Sequence, residues 1–156
     1  MQQRFVFADP EKCTGCQICE YVCSAVKEKG FNPLLSRIRT VRIEPTFNIA
    51  VACRLCEDPP CVAACPKKAL SREEKTGIIR VEEDKCKGCG WCIETCEFGA
   101  IALHPVKRTV VICDLCGGDP KCISYCPREA LYLATSGETP HNSRTKTAKC
   151  MHACIW

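Results

Sequence analysis

The cysteines between residues 53 and 96 constrain this chain more than any other feature of its sequence. They form two tight runs, and the second has the spacing C-x2-C-x2-C-x3-C. The first has two extra residues before its third cysteine. Three closely spaced thiolates can bind three corners of a [4Fe–4S] cluster, and the fourth, about one helical turn later, faces a neighbouring cluster. We call them run 2 (Cys53, Cys56, Cys61, Cys65) and run 3 (Cys86, Cys89, Cys92, Cys96).

Two further runs flank this pair, so that sixteen of the eighteen cysteines follow one pattern. Similar segments, CPKKAL, CEFGAI and CPREAL, begin at the fourth cysteine of run 2, of run 3 and of the last flanking run. The first flanking run has no such segment. Run 1 is therefore not the second half of an ordinary pair, and we expect its mate elsewhere in the chain. The flanking runs are run 1 (Cys13, Cys16, Cys19, Cys23) and run 4 (Cys113, Cys116, Cys122, Cys126).

Two other uses of many cysteines, a disulfide scaffold and a zinc module, fit this spacing less well. Residues 1–10 contain no apolar segment of the kind found in the signal peptide of a secreted scaffold. Zinc sites typically use paired C-x2-C knuckles, not three close cysteines followed by a fourth. We therefore favour iron–sulfur clusters, and visible absorbance that dithionite bleaches would separate them from both alternatives.

Charge and hydropathy exclude several other functions. The formal net charge of +4 counts cysteines as neutral, and the thiolates of four clusters would more than offset it, so no nucleic acid is needed to explain the basic residues. No apolar stretch approaches the ~20 residues of a membrane span. Thiols in this number indicate a reducing compartment, and we expect a cytoplasmic location. No acid–base pair, nucleophile motif or phosphate loop stands out, so no catalytic residue is predicted and the chain is not expected to be an enzyme.

Hydrophobic patterning predicts short strands and helices around the runs, which indicates an α+β fold. The segment that starts at Cys19 is predicted to be a short helix ended by Gly30. Gly15 suits the tight loop of run 1. Strands are predicted over residues 4–8, 37–43, 46–52, 78–81, 100–103, 108–112 and 130–134.

Four segments within residues 9–131 carry a family resemblance: DPEKCTGCQICEYVC, CRLCEDPPCVAACP, DKCKGCGWCIETC and CDLCGGDPKCISYCPREAL. In these segments the chain resembles the four-cluster electron-transfer subunits of the dimethyl-sulfoxide-reductase iron–sulfur subunit family. Such subunits serve tungsten and molybdenum oxidoreductases, including aldehyde and formate oxidoreductases, as well as hydrogenases and carbon monoxide dehydrogenases. Glu97 stands where the pattern usually has proline, and this departure removes no ligand.

The resemblance implies two nested bacterial-ferredoxin-like units with short strands and short helices around four [4Fe–4S] clusters. Residues 53–103 would form the inner unit, residues 1–52 plus 104–134 the outer unit, and residues 135–156 a polar tail. Every run would give its fourth cysteine to another run. The implied ligand sets are quartet A (Cys13, Cys16, Cys19, Cys126), quartet B (Cys53, Cys56, Cys61, Cys96), quartet C (Cys86, Cys89, Cys92, Cys65) and quartet D (Cys113, Cys116, Cys122, Cys23).

The implied function is a relay of single electrons through the four clusters, between a catalytic oxidoreductase subunit and a further electron donor or acceptor. The catalytic partner would be a metal–pterin or hydrogenase-like subunit in a hetero-oligomer. The alternative is a free-standing polyferredoxin that serves several oxidoreductases, and co-purification of a catalytic subunit would separate the two. We also expect one of the longer loops, 57–60 or 117–121, to lie at an interface beside a terminal cluster, the alternative being that these loops only fill space.

Two cysteines remain outside the four runs. Cys150 and Cys154 have the i, i+4 spacing of a helix, which raises the possibility of an extra metal or redox pair with His141 or His152. Two thiols in a polar segment are too few for a fifth cluster. We therefore favour a structural role for this pair.

Overall fold

The computed structural model describes residues 4–43, 47–135 and 137. In this part of the chain, four α-helices, two 3-10 helices (Pro33–Leu35 and Leu115–Gly118) and four two-stranded antiparallel sheets surround the cysteine runs, which confirms the predicted α+β class. The pair Cys150 and Cys154, with His141 and His152, lies outside the described residues. The α-helices are α1 (Ile18–Glu28), α2 (Pro60–Ala63), α3 (Trp91–Glu94) and α4 (Lys121–Ser124). The strands are β1 (Arg4–Ala8), β2 (Arg39–Ile43), β3 (Phe47–Val51), β4 (Leu70–Arg72), β5 (Ile79–Val81), β6 (Ala102–Leu103), β7 (Val110–Val111) and β8 (Leu131–Thr135).

Strand β1 pairs with β8 and joins the beginning of the described chain to its end. The antiparallel register runs from Arg4 opposite Thr135 to Ala8 opposite Leu131. Three of the five β1 side chains are buried, so burial of apolar surface stabilises this strand on both faces. The predicted bounds of β1 are confirmed, and β8 lies one residue further along the chain than predicted.

Helix α1 carries the last two cysteines of run 1 on its buried face. Cys19 and Cys23 are four residues apart and are buried with Glu20 and Ser24, as the 3.6-residue period of a helix requires. The helix ends at Glu28 because Lys29 adopts a left-handed backbone with φ 57°. Gly30 follows directly, so the helix ends where predicted, although the left-handed residue is Lys29 and not the glycine.

Polar contacts attach the β2–β3 hairpin to this helix and to the loop before it. The Thr40 amide donates a hydrogen bond to Glu20 Oε1 at 2.6 Å, which satisfies a carboxylate that is almost fully buried. The Arg42 guanidinium donates to the carbonyl oxygen of Gly15 inside run 1. The hairpin thus holds the loop of run 1 in place.

The α-helices pack in two pairs, α1 against α4 and α2 against α3. Because each helix carries cysteines, these contacts bring runs 1 and 4 together and runs 2 and 3 together. The turn between β6 and β7 is closed by buried His104, whose Nδ1 accepts hydrogen bonds from the amides of Val106 and Lys107 at 3.2 and 3.1 Å. Among the described helices, none has the length and apolar character needed to cross a membrane.

Candidate metal centres

Every run turns sharply just before its second cysteine. The residue there has a left-handed backbone in all four runs: Gly15 at φ 67°, Leu55 at φ 51°, Gly88 at φ 63° and Leu115 at φ 55°. Left-handed residues in such loops help to create concave surfaces of backbone N–H groups that favour anionic ligands, including iron–sulfur clusters. The four runs therefore share a local conformation suited to a cluster.

Glycine is required at this turn in runs 1 and 3. A Cβ atom on Gly88 would lie 2.1 Å from the carbonyl oxygen of Arg108, and a Cβ on Gly15 would lie 2.6 Å from Asn48 Oδ1. The first contact is with rigid backbone, whereas the second is with a side chain that can move. Both positions combine a left-handed backbone with a close approach that only glycine permits.

Leucine takes the same conformation in runs 2 and 4. A left-handed backbone costs a residue with a Cβ atom about 1–3 kcal/mol. Leu55 is 1% exposed and Leu115 is 9% exposed, and burying a leucine side chain contributes about 1.5–3 kcal/mol. Burial of the side chain therefore offsets the backbone strain at these two turns.

Three cavities are each lined by four cysteines drawn from two runs. The first is lined by the members of quartet A, the second by those of quartet B and the third by those of quartet D. Their empty volumes, which include solvent space at the opening of each cavity, are about 340, 870 and 330 Å³ respectively. Of the three, the cavity of quartet B has by far the most empty space, and all three open to solvent.

Charge interactions between thiols indicate which members of quartet C lie close together. They also indicate which quartets are neighbours. Cys92 interacts with Cys86 and with Cys65, which is the combination expected for quartet C. Cys92 also interacts with Cys61 of quartet B. The structure describes no such interaction for Cys89, whose place in quartet C stays a prediction.

Two contacts cross between the other quartets. The thiol of Cys122 in quartet D interacts with that of Cys19 in quartet A. The thiol of Cys113 in quartet D interacts with that of Cys53 in quartet B. Quartet D therefore has a neighbouring thiol in each of quartets A and B.

Burial makes several of these thiols weaker acids than an ordinary cysteine. It raises the pKa of Cys53 and of Cys113 to about 12, and the pKa of Cys19 and of Cys92 to about 11. Such thiols keep their protons at neutral pH unless a metal ion displaces them. Their environment suits ligands of a bound metal group and not free nucleophiles.

Backbone amides favour the thiolate at the fourth cysteine of runs 2 and 4. The amides of Ala69 and Ala130 donate to the sulfurs of Cys65 and Cys126, each at 3.3 Å. Burial would raise the pKa of Cys65, but the amide of Ala69, together with those of residues 67, 68 and 70, outweighs burial and lowers it. The alanine of the repeated segments therefore has a role: it is buried and places its N–H against the ligand sulfur.

The donor set fits an iron–sulfur cluster better than the alternative sites. All sixteen cysteines of the runs are free of disulfides. Within residues 4–43, 47–135 and 137, no three His, Cys, Asp or Glu side chains are close enough to share one metal ion, as a zinc site would need. Arg37 lines the cavity of quartet D, and its Nε is buried without a hydrogen-bond partner. A thiolate or sulfide in that cavity could accept this hydrogen bond, so the residues present fit the group.

The sequence did not reveal every residue of these sites. Arg37 and Arg54 line two of the cavities, and neither belongs to a recognisable motif. The two leucine turns were also missed, although the pattern C-x-L-C occurs in both run 2 and run 4. That repetition was the available signal.

The profile of the 4Fe-4S dicluster domain family matches residues 46–136, which is more than half of the chain. The chain belongs to this family. One similar protein is the polyferredoxin-like subunit of aliphatic sulfonate oxidoreductase from Pyrococcus furiosus. It is 42% identical over 144 residues, which cover 90% of this chain and 83% of the relative.

Two further similarities agree with this family assignment. The thiosulfate reductase electron transfer subunit PhsB of Salmonella typhi is 32% identical, over 88% of this chain and 78% of that protein. A solved structure, the active site complex BamBC of benzoyl coenzyme A reductase as isolated, contains a chain that aligns with a TM-score of 0.51. That alignment has 25% identity and covers 86% of this chain and 78% of the other.

The family assignment confirms the function predicted from the sequence at the level of class. The chain is an iron–sulfur electron-transfer subunit of the oxidoreductase type, and it is not the catalytic component. The resemblance given by the sixteen cysteines is confirmed as well.

Proposed function

We propose that the chain holds four [4Fe–4S] clusters, one in each of quartets A, B, C and D. One observation carries this proposal: three separate cavities each bring together three cysteines of one run and the fourth cysteine of another. A bound cluster would supply one-electron redox chemistry in each quartet. The chain's own residues hold the ligands at set positions, donate N–H groups to their sulfurs and limit the access of water.

The same pairing supports the two nested units. Contacts between α1 and α4 and the pairing of β1 with β8 support an outer unit formed by residues 1–52 and 104–134. Contacts between α2 and α3, with the β4–β5 hairpin, support an inner unit of residues 53–103. In this arrangement the inner unit is an insertion between the two halves of the outer one.

The contacts between thiols support a single row of quartets in the order A, D, B, C. Quartet A is related to D by Cys19 and Cys122, and D is related to B by Cys113 and Cys53. Quartet B is related to C by Cys61 and Cys92. The two ends of this row contain Cys16 and Cys89, the only exposed cysteines among the described residues. Electrons would therefore enter and leave through quartets A and C.

This order changes the expectation for the two longer loops. Residues 57–60 belong to run 2 and residues 117–121 to run 4, so they lie beside the central quartets B and D. Docking surfaces are better placed at the ends, where Trp91 follows the loop of quartet C and is 64% exposed, and Ile18 follows that of quartet A. Exposed aromatic residues are enriched at protein interfaces.

The partner belongs to the same proposal. The relatives are named as subunits or electron transfer components of oxidoreductases, which supports a hetero-oligomer with a catalytic oxidoreductase subunit and a second electron donor or acceptor. A tungsten or molybdenum enzyme remains our prediction for the catalytic partner. A cytoplasmic location is also still a prediction, supported by the sixteen free thiols, which need a reducing compartment.

Anaerobic iron and acid-labile sulfide analysis tests the cluster count. Four quartets predict about sixteen iron and sixteen sulfide per chain, with visible absorbance that dithionite bleaches. Values near eight would contradict four clusters, and a strong three-iron EPR signal in protein never exposed to oxidants would contradict complete quartets. Affinity purification from the native host should retain a large catalytic subunit, whereas isolation of the chain alone would favour a free polyferredoxin.

A further inference from the structure

Arg54 lies between three aromatic rings that come from distant parts of the chain. Its guanidinium carbon is 4.7 Å from the ring centre of Phe5, 4.8 Å from that of Phe7 and 5.3 Å from that of Phe98. All three distances are within the range of a cation–π interaction. Two of the rings belong to β1 and the third follows run 3, so Arg54 is held at the contact between the two proposed units.

The cation at this position has no conventional partner. Across the described ranges, no carboxylate or carbonyl oxygen forms an ion pair or a hydrogen bond with the Arg54 side chain, although Arg37, Arg39 and Arg42 each bind an oxygen. Arg54 is only partly exposed. A partly buried guanidinium without an anion is unfavourable, so a counter-ion is expected close by.

The cavity of quartet B lies next to Arg54. Arg54 follows Cys53 directly and lines the same cavity as all four cysteines of the quartet. With a cluster bound, the thiolates and sulfides of quartet B would place negative charge in the cavity that Arg54 lines.

Three other charged groups face the same cavity or its cysteines. Asp58 and Glu97 line the cavity, and both are exposed. Arg72 donates a hydrogen bond from Nε to the carbonyl oxygen of Cys56 at 3.1 Å. Because water screens exposed charges more strongly than buried ones, Arg54 should affect the charge in the cavity more than Asp58 and Glu97 do. Arg72 is also partly buried, but it is held by the Cys56 carbonyl oxygen.

We propose that Arg54 is the counter-ion of the cluster in quartet B and holds its reduction potential above the value that the same ligands would give without the guanidinium. This inference rests on the proposed function, since it requires a cluster in quartet B. Reduction adds one negative charge to the cluster, and a nearby cation stabilises the reduced form more than the oxidised form. The three rings keep the guanidinium in place without neutralising it.

Anaerobic potentiometric titration of the holoprotein, followed by EPR, tests this proposal. Arg54→Met removes the charge and keeps an unbranched apolar side chain, whereas Arg54→Lys keeps the charge and can still lie against an aromatic ring. Arg80→Met is the matched control, because Arg80 is exposed and pairs with Glu73 at 3.2 Å, away from the cavity. Glu97→Gln removes a charge of opposite sign from the same cavity.

We expect Arg54→Met to lower one of the four potentials. The reduction constant of that cluster should fall about tenfold, which corresponds to about 59 mV for a one-electron couple. Glu97→Gln should raise the same potential by a smaller amount, which assigns the signal to quartet B. Arg54→Lys should stay within about threefold of the wild-type constant, and Arg80→Met should leave all four potentials unchanged.

The outcomes separate this inference from the proposal of four clusters. An iron content too low for four clusters in the wild-type protein would contradict the proposed function itself. Full iron content with four unchanged potentials in Arg54→Met would overturn the role of Arg54, and so would an equal shift in Arg54→Lys, because packing would then be the cause. If Arg54→Met loses one cluster and Arg54→Lys keeps all four, the counter-ion role is supported, whereas loss of the cluster from both variants overturns it.

Discussion

Runs 1 and 3 differ from runs 2 and 4 at the turn before the second cysteine. Runs 1 and 3 have glycine there, and their second cysteines, Cys16 and Cys89, are exposed. Runs 2 and 4 have the buried residues Leu55 and Leu115, and their second cysteines are only partly exposed. One backbone conformation is therefore built in two ways, with a glycine packed closely against another segment or with a leucine whose side chain is buried.

The difference matches the proposed order of the quartets. The glycine runs provide three ligands each to quartets A and C at the ends of the row, whereas the leucine runs provide three ligands each to the central quartets B and D. In the proposed arrangement, a leucine at the turn would exclude water from a cluster that exchanges electrons only with its neighbours. The glycine runs carry the exposed second cysteines, which would lie where a cluster approaches a partner protein. The local sequence C-x-G-C or C-x-L-C would then indicate the position of a cluster in the row.

Replacing a fourth cysteine, which each run is proposed to give to another run, should have the largest effect of the variants considered. Cys65→Ala should remove the cluster of the terminal quartet C and leave that of quartet B, although Cys65 belongs to run 2. Cys23→Ala should likewise remove the cluster of the central quartet D and leave that of quartet A. Iron analysis should show a loss of about one quarter in each variant. A structure with all four cysteines of one run on a single cluster would contradict this exchange.

Truncation of a central leucine should have the next largest effect. Leu55→Ala keeps the left-handed backbone but removes a side chain that is 1% exposed, and we expect it to cost about 2–5 kcal/mol of unfolding free energy. Cluster absorbance in air should also decay faster, because water and oxygen reach quartet B. Leu34→Ala is the control, since Leu34 is 61% exposed. Equal melting temperatures and equal decay rates in the two variants would show that Leu55 does not cover the loop.

The glycines of run 3 offer a smaller and sharper test. Gly88→Ala would place a Cβ 2.1 Å from the Arg108 carbonyl oxygen, and the backbone must shift at a cost of about 1–3 kcal/mol, in addition to the about 1–2 kcal/mol for alanine in a left-handed conformation. Gly90→Ala has the same left-handed backbone with nothing within 4 Å of the added atom, so only about 1–2 kcal/mol is expected. Thermal denaturation of the two holoproteins measures the difference. A Gly90 variant as unstable as the Gly88 variant would show that conformation alone, and not the contact with Arg108, requires glycine.

Docking surfaces give the smallest expected effect. Trp91→Ala at the exposed end of the row should slow electron transfer to the co-purified catalytic subunit or to the second partner by a few-fold, because interface aromatics contribute strongly to binding. Charge reversal at Glu57, Asp58 or Asp119 should change the same rate by about twofold at most, and less at high salt. Iron content and EPR spectra serve as controls. If the loop charges mattered more than Trp91, the central placement of their quartets would be contradicted.

The cysteine pattern was enough to predict the class of fold and the candidate ligands. Strand β1 has its predicted bounds because a short apolar segment before run 1 has few alternatives. The cavities combine the cysteines of quartets A, B and D as the resemblance implied. Spacing within a run is a local property, and local properties can be read from sequence.

The features that could not be predicted depend on contacts between distant segments or on local strain. Leucine avoids left-handed backbone in most contexts, so residue preference argues against that conformation at Leu55, and only the repeated C-x-L-C pattern pointed to it. Arg54 became relevant only because residues 5, 7 and 98 meet around it in the fold. Helix α1 ends at Glu28, and the left-handed residue that follows it is Lys29 and not Gly30.

Anomalous X-ray diffraction at the iron edge, from anaerobic crystals of the holoprotein, tests the central claim most directly. The account predicts four iron clusters in one row, with quartet A at one end, quartet C at the other, and quartets D and B between them. Arg54 should lie beside the cluster of quartet B. A compact square of clusters, or a row with a leucine run at either end, would contradict the account.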